Sequence, residues 1–339
     1  MRPFEHIDAK SVKEAVGLLQ KYESKLIAGG TDLLGLLKDR VSPVYPELLV
    51  NIKTIPGLDR IEQDEAGVSI GALAKLADIV ASPLVQERYP VLAEAARSVA
   101  TPQIRNMGTL GGNLAQDTRC WYYRYPHEIG GKLICRRKGG GLCPAATGEN
   151  RYHAIFPGKQ CLGVCPSDTA VALAALDATL QVAGPEGRRT ASVQDFYQPL
   201  GNTLQPDEMI TGIWIPRPQE GTRQTFFKHR VREAVDFAIV SVASVVTLKD
   251  GKCEDARIVL GAVAAAPFRA VAAEQAIKGK PIDMSNAEAA AEAAVAGAVP
   301  LSQNAYKVVI AKALVLRALV SSGLWSMRPG AQRPRNHEQ

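Results

Sequence analysis

Two short segments and one group of thiols hold the residues whose types and spacing could do chemistry. IAGGTDLL (27–34) sets Gly29 and Gly30 between an apolar run and a helical pattern, and GTLGGN (108–113) repeats the design with Gly111 and Gly112. Glycine lets a backbone approach a ligand closely, and amides at a helix start suit an anion such as a pyrophosphate. Thr109 and Asn113 add hydrogen-bonding side chains that glycine lacks. Neither segment has the G-x-G-x-x-G or G-x-x-x-x-G-K-S/T spacing of common dinucleotide and nucleoside-triphosphate sites. Two unrelated strand-to-helix turns explain the same residues equally well.

The six cysteines stand at 120, 135, 143, 161, 165 and 253. Five of them fall between 120 and 165. Cys120, Cys135, Cys143 and Cys161 read C-x14-C-x7-C-x17-C. Four thiolates suit a [4Fe–4S] cluster. Structural zinc takes four thiolates too, usually as close C-x2–4-C pairs, and only Cys161 and Cys165 are that close. Iron–sulfur, zinc and unliganded thiols therefore all remain open on spacing alone. His127 and His153 lie in the same stretch and read as ordinary hydrogen-bonded or surface histidines.

The elements that must position these groups follow from periodicity. SVKEAVGLLQKY has Val12, Ala15, Val16 and Leu19 at helical spacing behind a Ser11 cap. SKLIAGG is a strand ending at Gly29-Gly30, followed by a helix capped by Thr31 or Asp32. ELLVNIKTI is a strand, and GLDRIEQDEAGVSIGALAKLADIV reads strand, turn, strand, helix. An Ala-rich helix is expected from Pro83 to Val99. Residues 121–160 are glycine-rich, basic and without sustained period. A run this long inside a compact domain needs an organiser, and a bound metal is the expected one. PSDTAVALAALDATLQVAG returns to a capped helix and a strand ending at Gly184. EMITGIWIPRPQ alternates like a strand. Three strands with a turn at Asp250-Gly251 follow, then helices around 269–278, 286–297 and 303–322.

The chain has 339 residues, 46% of them apolar and 22% charged, enough for two or three domains and a full core. Its net charge of +6 is spread along the sequence, without a basic helix or an aromatic platform. Nucleic-acid binding is therefore not expected. No apolar run approaches a membrane span. The first residues carry Glu5, Asp8 and Glu14 and no apolar signal core. A cytoplasmic protein is expected, the alternative being export on a partner that carries a signal.

IAGGTDLL and ATPQIRNMGTLGGNLA, in this order and followed by PSDTAVAL and FFKHRVREAVDFAIVSVA, resemble the FAD-binding medium subunit of the molybdenum hydroxylases. This is the family of carbon monoxide dehydrogenase and xanthine dehydrogenase. The resemblance implies an α+β chain with a vanillyl-alcohol-oxidase-type (PCMH-type) FAD fold. Two α/β subdomains, 1–58 and 59–220, would precede a C-terminal α+β domain at 221–325 with a three-stranded sheet, and 326–339 would be a disordered tail. Carried over, Ala28, Gly29, Gly30, Thr31, Asp32, Leu33 and Leu34 would wrap the pyrophosphate and ribityl chain. Thr101, Thr109, Gly111, Gly112 and Asn113 would form a second cradle. Asp117 and Asp168 would bond hydroxyls or the adenine side, Ile210 would pack on the cofactor, and Lys228 would lie near the flavin ring.

The insertion at about 118–165, with DTRC, KGGGLC and QCLGVCPSD, is similar to the variant that carries an extra [4Fe–4S] cluster. That variant includes the β subunit of 4-hydroxybenzoyl-CoA reductase and the FAD subunit of periplasmic aldehyde oxidoreductase. The resemblance makes Cys120, Cys135, Cys143 and Cys161 the ligands and leaves Cys165 over. It implies an electron-transfer subunit with no catalytic residues for the organic substrate. Its partners would be a large molybdenum-cofactor subunit and a small [2Fe–2S] subunit, with a ferredoxin or similar carrier as an external partner. A stand-alone FAD-dependent dehydrogenase and a zinc-stapled binding protein are the alternatives.

Overall fold

The computed structural model describes residues 1–324, apart from 43, 127–132, 157 and 159. His127 and the expected tail lie outside the described residues. The N-terminal unit is a three-stranded parallel sheet. β1 (Glu5–Asp8) and β2 (Ser24–Ile27) flank β3 (Leu48–Asn51). The helix Val12–Lys21 crosses between β1 and β2 and buries Ala15, Val16 and Leu19. Ser11 Oγ accepts the Glu14 N–H at 3.1 Å, and the Glu14 carboxylate accepts the Lys10 N–H at 2.7 Å. That exchange fixes where the helix begins.

The second sheet is antiparallel and five-stranded. It holds β4 (Ile61–Gln63), β5 (Gly67–Gly71), β6 (Thr179–Gly184) and β7 (Gly187–Ser192). After the short pair β8 (Tyr197–Gln198) and β9 (Gly201–Asn202), β10 (Met209–Pro216) enters its centre, giving the order β4-β5-β10-β6-β7. The register of β10 on β6 shifts between Ile210 and Gly212, a bulge that turns this end of the strand. The helix Asp168–Ala175, capped by Ser167 Oγ on the Ala170 N–H, is buried at every position.

The third sheet has four strands where three were expected. β11 (Thr222–His229), β12 (Val240–Lys249) and β13 (Lys252–Gly261) are joined by β14 (Phe268–Arg269), paired through Val259–Arg269 and Leu260–Phe268. Two residues carry no alternation, so periodicity could not find β14. The helices Val271–Ile277, Met284–Val295 and Tyr306–Leu324 cover this sheet. The Ala-rich helix of 83–99 is two helices, Pro83–Arg88 and Pro90–Arg97. Tyr89 breaks them apart, since a residue before proline is held out of the α region.

The cysteine-rich stretch is less irregular than its composition suggests. Ile155 and Phe156 enter the C-terminal core, Phe156 stacked on Phe268 with centroids 3.7 Å apart. The Ile155 N–H donates to Val263 O at 2.9 Å, and Asn150 bonds Ser302 and Gln303. A bound metal is the organiser the sequence suggests, and protein contacts contribute as well: the buried Ile155 and Phe156 and the hydrogen bonds of Asn150 tether the C-terminal half of this stretch to the C-terminal sheet and helices.

Candidate functional site

The two Gly-Gly segments meet. Gly30 turns with φ +70°, a conformation glycine adopts freely, and sends the chain from β2 into the helix Leu33–Lys38. Asp32 occupies the cap position without capping. At Gly29 a Cβ would fall 2.0 Å from Met107 O. Glycine there lets the first segment lie directly on the end of the helix Pro102–Met107, which Thr101 Oγ1 caps. The second pair is not a loop. Gly111 and Gly112 sit in the helix Leu110–Ala115, capped by Thr109 Oγ1 on the Gly112 N–H. The Gly111 N–H donates to Ala72 O at 2.8 Å, and a Cβ there would stand 2.9 Å from the Ala72 Cβ. The amides of both these glycines are therefore committed within the protein, contrary to the expected cradle. Among the described residues, those of Gly30, Thr31 and Asp32 have no protein acceptor.

A cleft of about 510 Å³ opens between the segments, within the usual range for cofactor pockets of about 300–1,000 Å³. Residues 28–33 line one wall, Thr109, Gly111, Gly112 and Asp117 another, and Ile210 projects from the β10 bulge. Leu36, Leu37, Tyr45, Leu204 and Tyr123 also line it, and the sequence marked none of them as site residues. Leu34, Thr101, Asn113, Asp168 and Lys228 are not among the lining residues. Asn113 Oδ1 accepts from Ser167 Oγ at 2.6 Å and Thr169 Oγ1 at 2.7 Å, tying the second segment to the buried helix. Asp168 and Lys228 form a buried ion pair at 2.7 Å, and Lys228 Nζ also donates to Ser98 O. Burial pushes the Asp168 carboxyl up from its ordinary value, and the Lys228 charge opposes that.

The floor of the cleft is a charge network. Asp32 accepts from Arg119 at 2.9 Å and Arg124 at 2.8 Å, and its second oxygen takes the Asp117 N–H. Asp117 accepts from Tyr123 Oη at 2.5 Å and Arg137 at 2.8 Å. Burial, then the Asp117 charge, raises the Tyr123 phenol far above its ordinary range, so it stays a donor. Burial works against the Arg137 charge, but Asp117 and a hydrogen bond to Cys161 outweigh it. Arg137 thus joins the cleft to the thiols. Sequence spacing gave no sign of these partnerships, because Asp32 lies 92 residues from Arg124.

Three of the four expected ligands head short turns. Cys120 precedes the helix Trp121–Arg124, Cys135 the 3-10 turn Arg136–Lys138, and Cys143 the 3-10 turn Pro144–Ala146. Such positions offer backbone N–H groups to sulfur. Cys120 takes them from Tyr122 and Tyr123, and Cys161 takes one from Gly163 at 3.3 Å. Burial pushes the Cys120 thiol up to about 11, and the neighbouring Cys161 and Cys143 push the same way. Lys138 interacts with both Cys135 and Cys120. Cys165 differs. It lies in the central core, bonded to Ser167 and Tyr197, and burial pushes its thiol to about 12. Among the described residues, no three His, Cys, Asp or Glu side chains gather tightly enough for one metal ion. No helix among them is long and apolar enough to cross a membrane.

Comparison with known proteins agrees with this geometry. Residues 2–218 match the FAD binding domain in molybdopterin dehydrogenase, and residues 225–322 the CO dehydrogenase flavoprotein C-terminal domain. The chain is 35% identical over 308 residues to the aldehyde oxidoreductase FAD-binding subunit PaoB of Escherichia coli (strain K12), covering 88% of this chain and 91% of that one. It is 32% identical to the carbon monoxide dehydrogenase medium chain of Hydrogenophaga pseudoflava, covering 93% and 96%. A solved structure of carbon monoxide dehydrogenase from the same organism superposes with a TM-score of 0.76 at 31% identity, over 96% of this chain and 99% of that one. The fold is accordingly the PCMH-type FAD-binding fold. The chain belongs to the FAD-binding medium-subunit family of the molybdenum hydroxylases, as an oxidoreductase flavoprotein component.

Proposed function

We propose that this chain is the FAD and [4Fe–4S] electron-transfer subunit of a heteromeric molybdenum hydroxylase, exchanging electrons between a partner's [2Fe–2S] clusters and an external carrier such as a ferredoxin. The observation that carries the reading is the cleft shared by the two glycine segments, where the Gly30, Thr31 and Asp32 amides have no protein acceptor among the described residues. These amides suit a pyrophosphate. Apolar side chains such as Leu33, Leu36 and Ile210 suit a ring system. Bound FAD would supply a centre that accepts electron pairs and releases single electrons.

The chain's own residues bind and shape. Ala28 to Leu33 would hold the phosphates, with Leu34 supporting the turn. Thr109, Gly111 and Gly112 would form the opposing wall, with Thr101 and Asn113 fixing its two helices. Asp32 and Asp117, restrained by Arg119, Arg124 and Arg137, would accept from cofactor hydroxyls with their remaining lone pairs. The Asp168–Lys228 pair would set the charge behind that wall.

The cluster reading rests on Cys120, Cys135, Cys143 and Cys161. In a [4Fe–4S] cluster each thiolate binds a different iron, so the four sulfurs stand further apart than the ligands of one ion. Support for one shared site comes from proximity: Cys120 interacts with both Cys143 and Cys161, and Lys138 with both Cys120 and Cys135. Backbone N–H groups aimed at sulfur are a usual means of stabilising such a cluster. The relatives' names as medium chains and FAD-binding subunits support larger and smaller partners.

Anaerobic purification with flavin, iron and sulfide analysis tests the reading. One FAD and about four irons per chain are expected, with a molybdenum subunit and a [2Fe–2S] subunit copurifying. Zinc in place of iron would overturn the cluster. Substrate oxidation by the isolated chain would overturn the subunit role.

A further inference from the structure

His153 is buried, 3% exposed, and its Nε2 stands 3.2 Å from Cys120 Sγ. Its Nδ1 is also buried and has no partner among the described residues. The ring is held edge-on to Trp121, 5.4 Å between centroids, and tilted against Tyr122. Its backbone is fixed as firmly. The His153 carbonyl accepts from Asn304 Nδ2 at 3.1 Å and from Lys307 Nζ at 2.9 Å. Lys307 is itself fully buried and also donates to Ala262 O. A ring this constrained cannot swing to water. Nor can it reach another acceptor without breaking the contacts that hold it.

We propose that His153 is a positioning residue for the cysteine site: a neutral imidazole whose Nε2–H donates to the Cys120 sulfur and makes the bound cluster easier to reduce. The inference rests on the reading that Cys120 is a cluster ligand. As a cluster ligand Cys120 is a thiolate with no proton to give, so in that state the hydrogen in the 3.2 Å contact comes from the ring. That places the proton on Nε2 and leaves Nδ1 as a bare lone pair, which is less costly to bury unpaired than an N–H. Reduction adds negative charge to the cluster and its sulfurs. A donor at 3.2 Å interacts more strongly with the reduced form, and hydrogen bonds to sulfur are among the factors that set cluster potentials. His153 would act through Cys120, as outer-shell partners act through metal ligands. Its carbonyl bonds to Asn304 and Lys307 make the C-terminal helical layer part of the device that holds it.

The test uses the full chain, purified anaerobically with its copurifying subunits. Wild type, His153→Leu and His153→Gln are compared for iron, sulfide and EPR-monitored reduction potential. Wild type labelled with 15N-histidine is examined by pulsed EPR of the reduced cluster. The expected result is full iron and sulfide in both variants. In His153→Leu reduction becomes about tenfold less favourable, which is about 59 mV more negative for one electron. His153→Gln, which keeps an amide donor, recovers part of that shift. Weak 15N coupling in the wild type is expected, as for a hydrogen bond through hydrogen. An unchanged potential in a fully loaded His153→Leu overturns the inference. So does strong 15N coupling, which would make His153 an iron ligand. If His153→Leu does not fold, the 15N coupling decides alone, and its absence overturns the inference. Wild type without iron or sulfide would remove the cluster reading and this inference together, whereas a loaded wild type with an unmoved variant removes this inference only.

Discussion

Gly29→Ala is expected to release the cofactor by moving protein against protein. The Cβ built at Gly29 lies 2.0 Å from Met107 O and 2.7 Å from Met107 C. An ordinary carbon–oxygen contact needs about 3.3 Å, so the first segment must back away from the end of the helix Pro102–Met107 by about 1.3 Å. The obstacle is backbone and cannot rotate aside. Overpacking of this kind costs about 1–3 kcal/mol, or roughly 2–12 °C in melting temperature for a domain of this size. The displaced residues, 28–33, form one wall of the cleft. A shift of about 1 Å is enough to misplace groups that must act together.

The control is Gly35→Ala, two positions into the following helix, exposed and with nothing within 4 Å of its Cβ. It should stabilise by about 0.5–1 kcal/mol, since glycine inside a helix is costly relative to alanine. Both variants are to be measured for flavin per chain by absorbance and for melting temperature. The expected pattern is flavin loss and a lower melting point at 29, with neither at 35. Full flavin and an unchanged melting point in Gly29→Ala would refute the argument that backbone contact at Met107 shapes the cleft.

Lys228→Met should destabilise by about 3–5 kcal/mol because it strands the buried Asp168 carboxylate; a chemical melt at neutral pH checks this, and a variant as stable as the wild type would refute the stranded-charge argument. The Arg189–Glu208 pair joins β7 to the cleft rim, and the Glu208 carboxyl is held below its ordinary value chiefly by its hydrogen bond from Arg189. A depressed carboxyl stabilises the fold above the unfolded value of about 4.5 and loses that contribution as pH falls through the folded value. Arg189→Met should therefore lower the melting point at pH 7 but not at pH 3. Cys165→Ser should keep its iron while Cys161→Ser loses it, read by iron and sulfide analysis; the opposite pattern would exchange their roles. Arg137→Met should weaken FAD retention through Asp117 and disturb the thiols through Cys161, so flavin and iron contents should fall together.

What the sequence determined by itself is local. The Ser11 and Ser167 caps, the strand ending at Gly184 and the turn at Asp250-Gly251 are written in neighbouring residues, because caps and turns are decided within a few positions. The two glycine pairs were legible for the same reason. Pattern fell short where contacts outside the segment took part. GTLGGN offered a turn into a helix, and Gly111 and Gly112 lie inside that helix, which Thr109 caps locally and the distant Ala72 carbonyl holds through the Gly111 amide. The cysteine stretch read as unanchored because Ile155 and Phe156 are too few to make a period, and their burial depends on Phe268 and Val263 more than 100 residues away.

Only the tertiary structure decided how the site is wired. Asp32 finds Arg119 and Arg124, Asp117 finds Arg137, and His153 finds Cys120 and, through its carbonyl, Asn304 and Lys307. Charge and hydrogen bonding act through a few ångströms of space and carry no record in sequence separation. A sequence can name the residue types that such bonds require, but folding chooses the pairs.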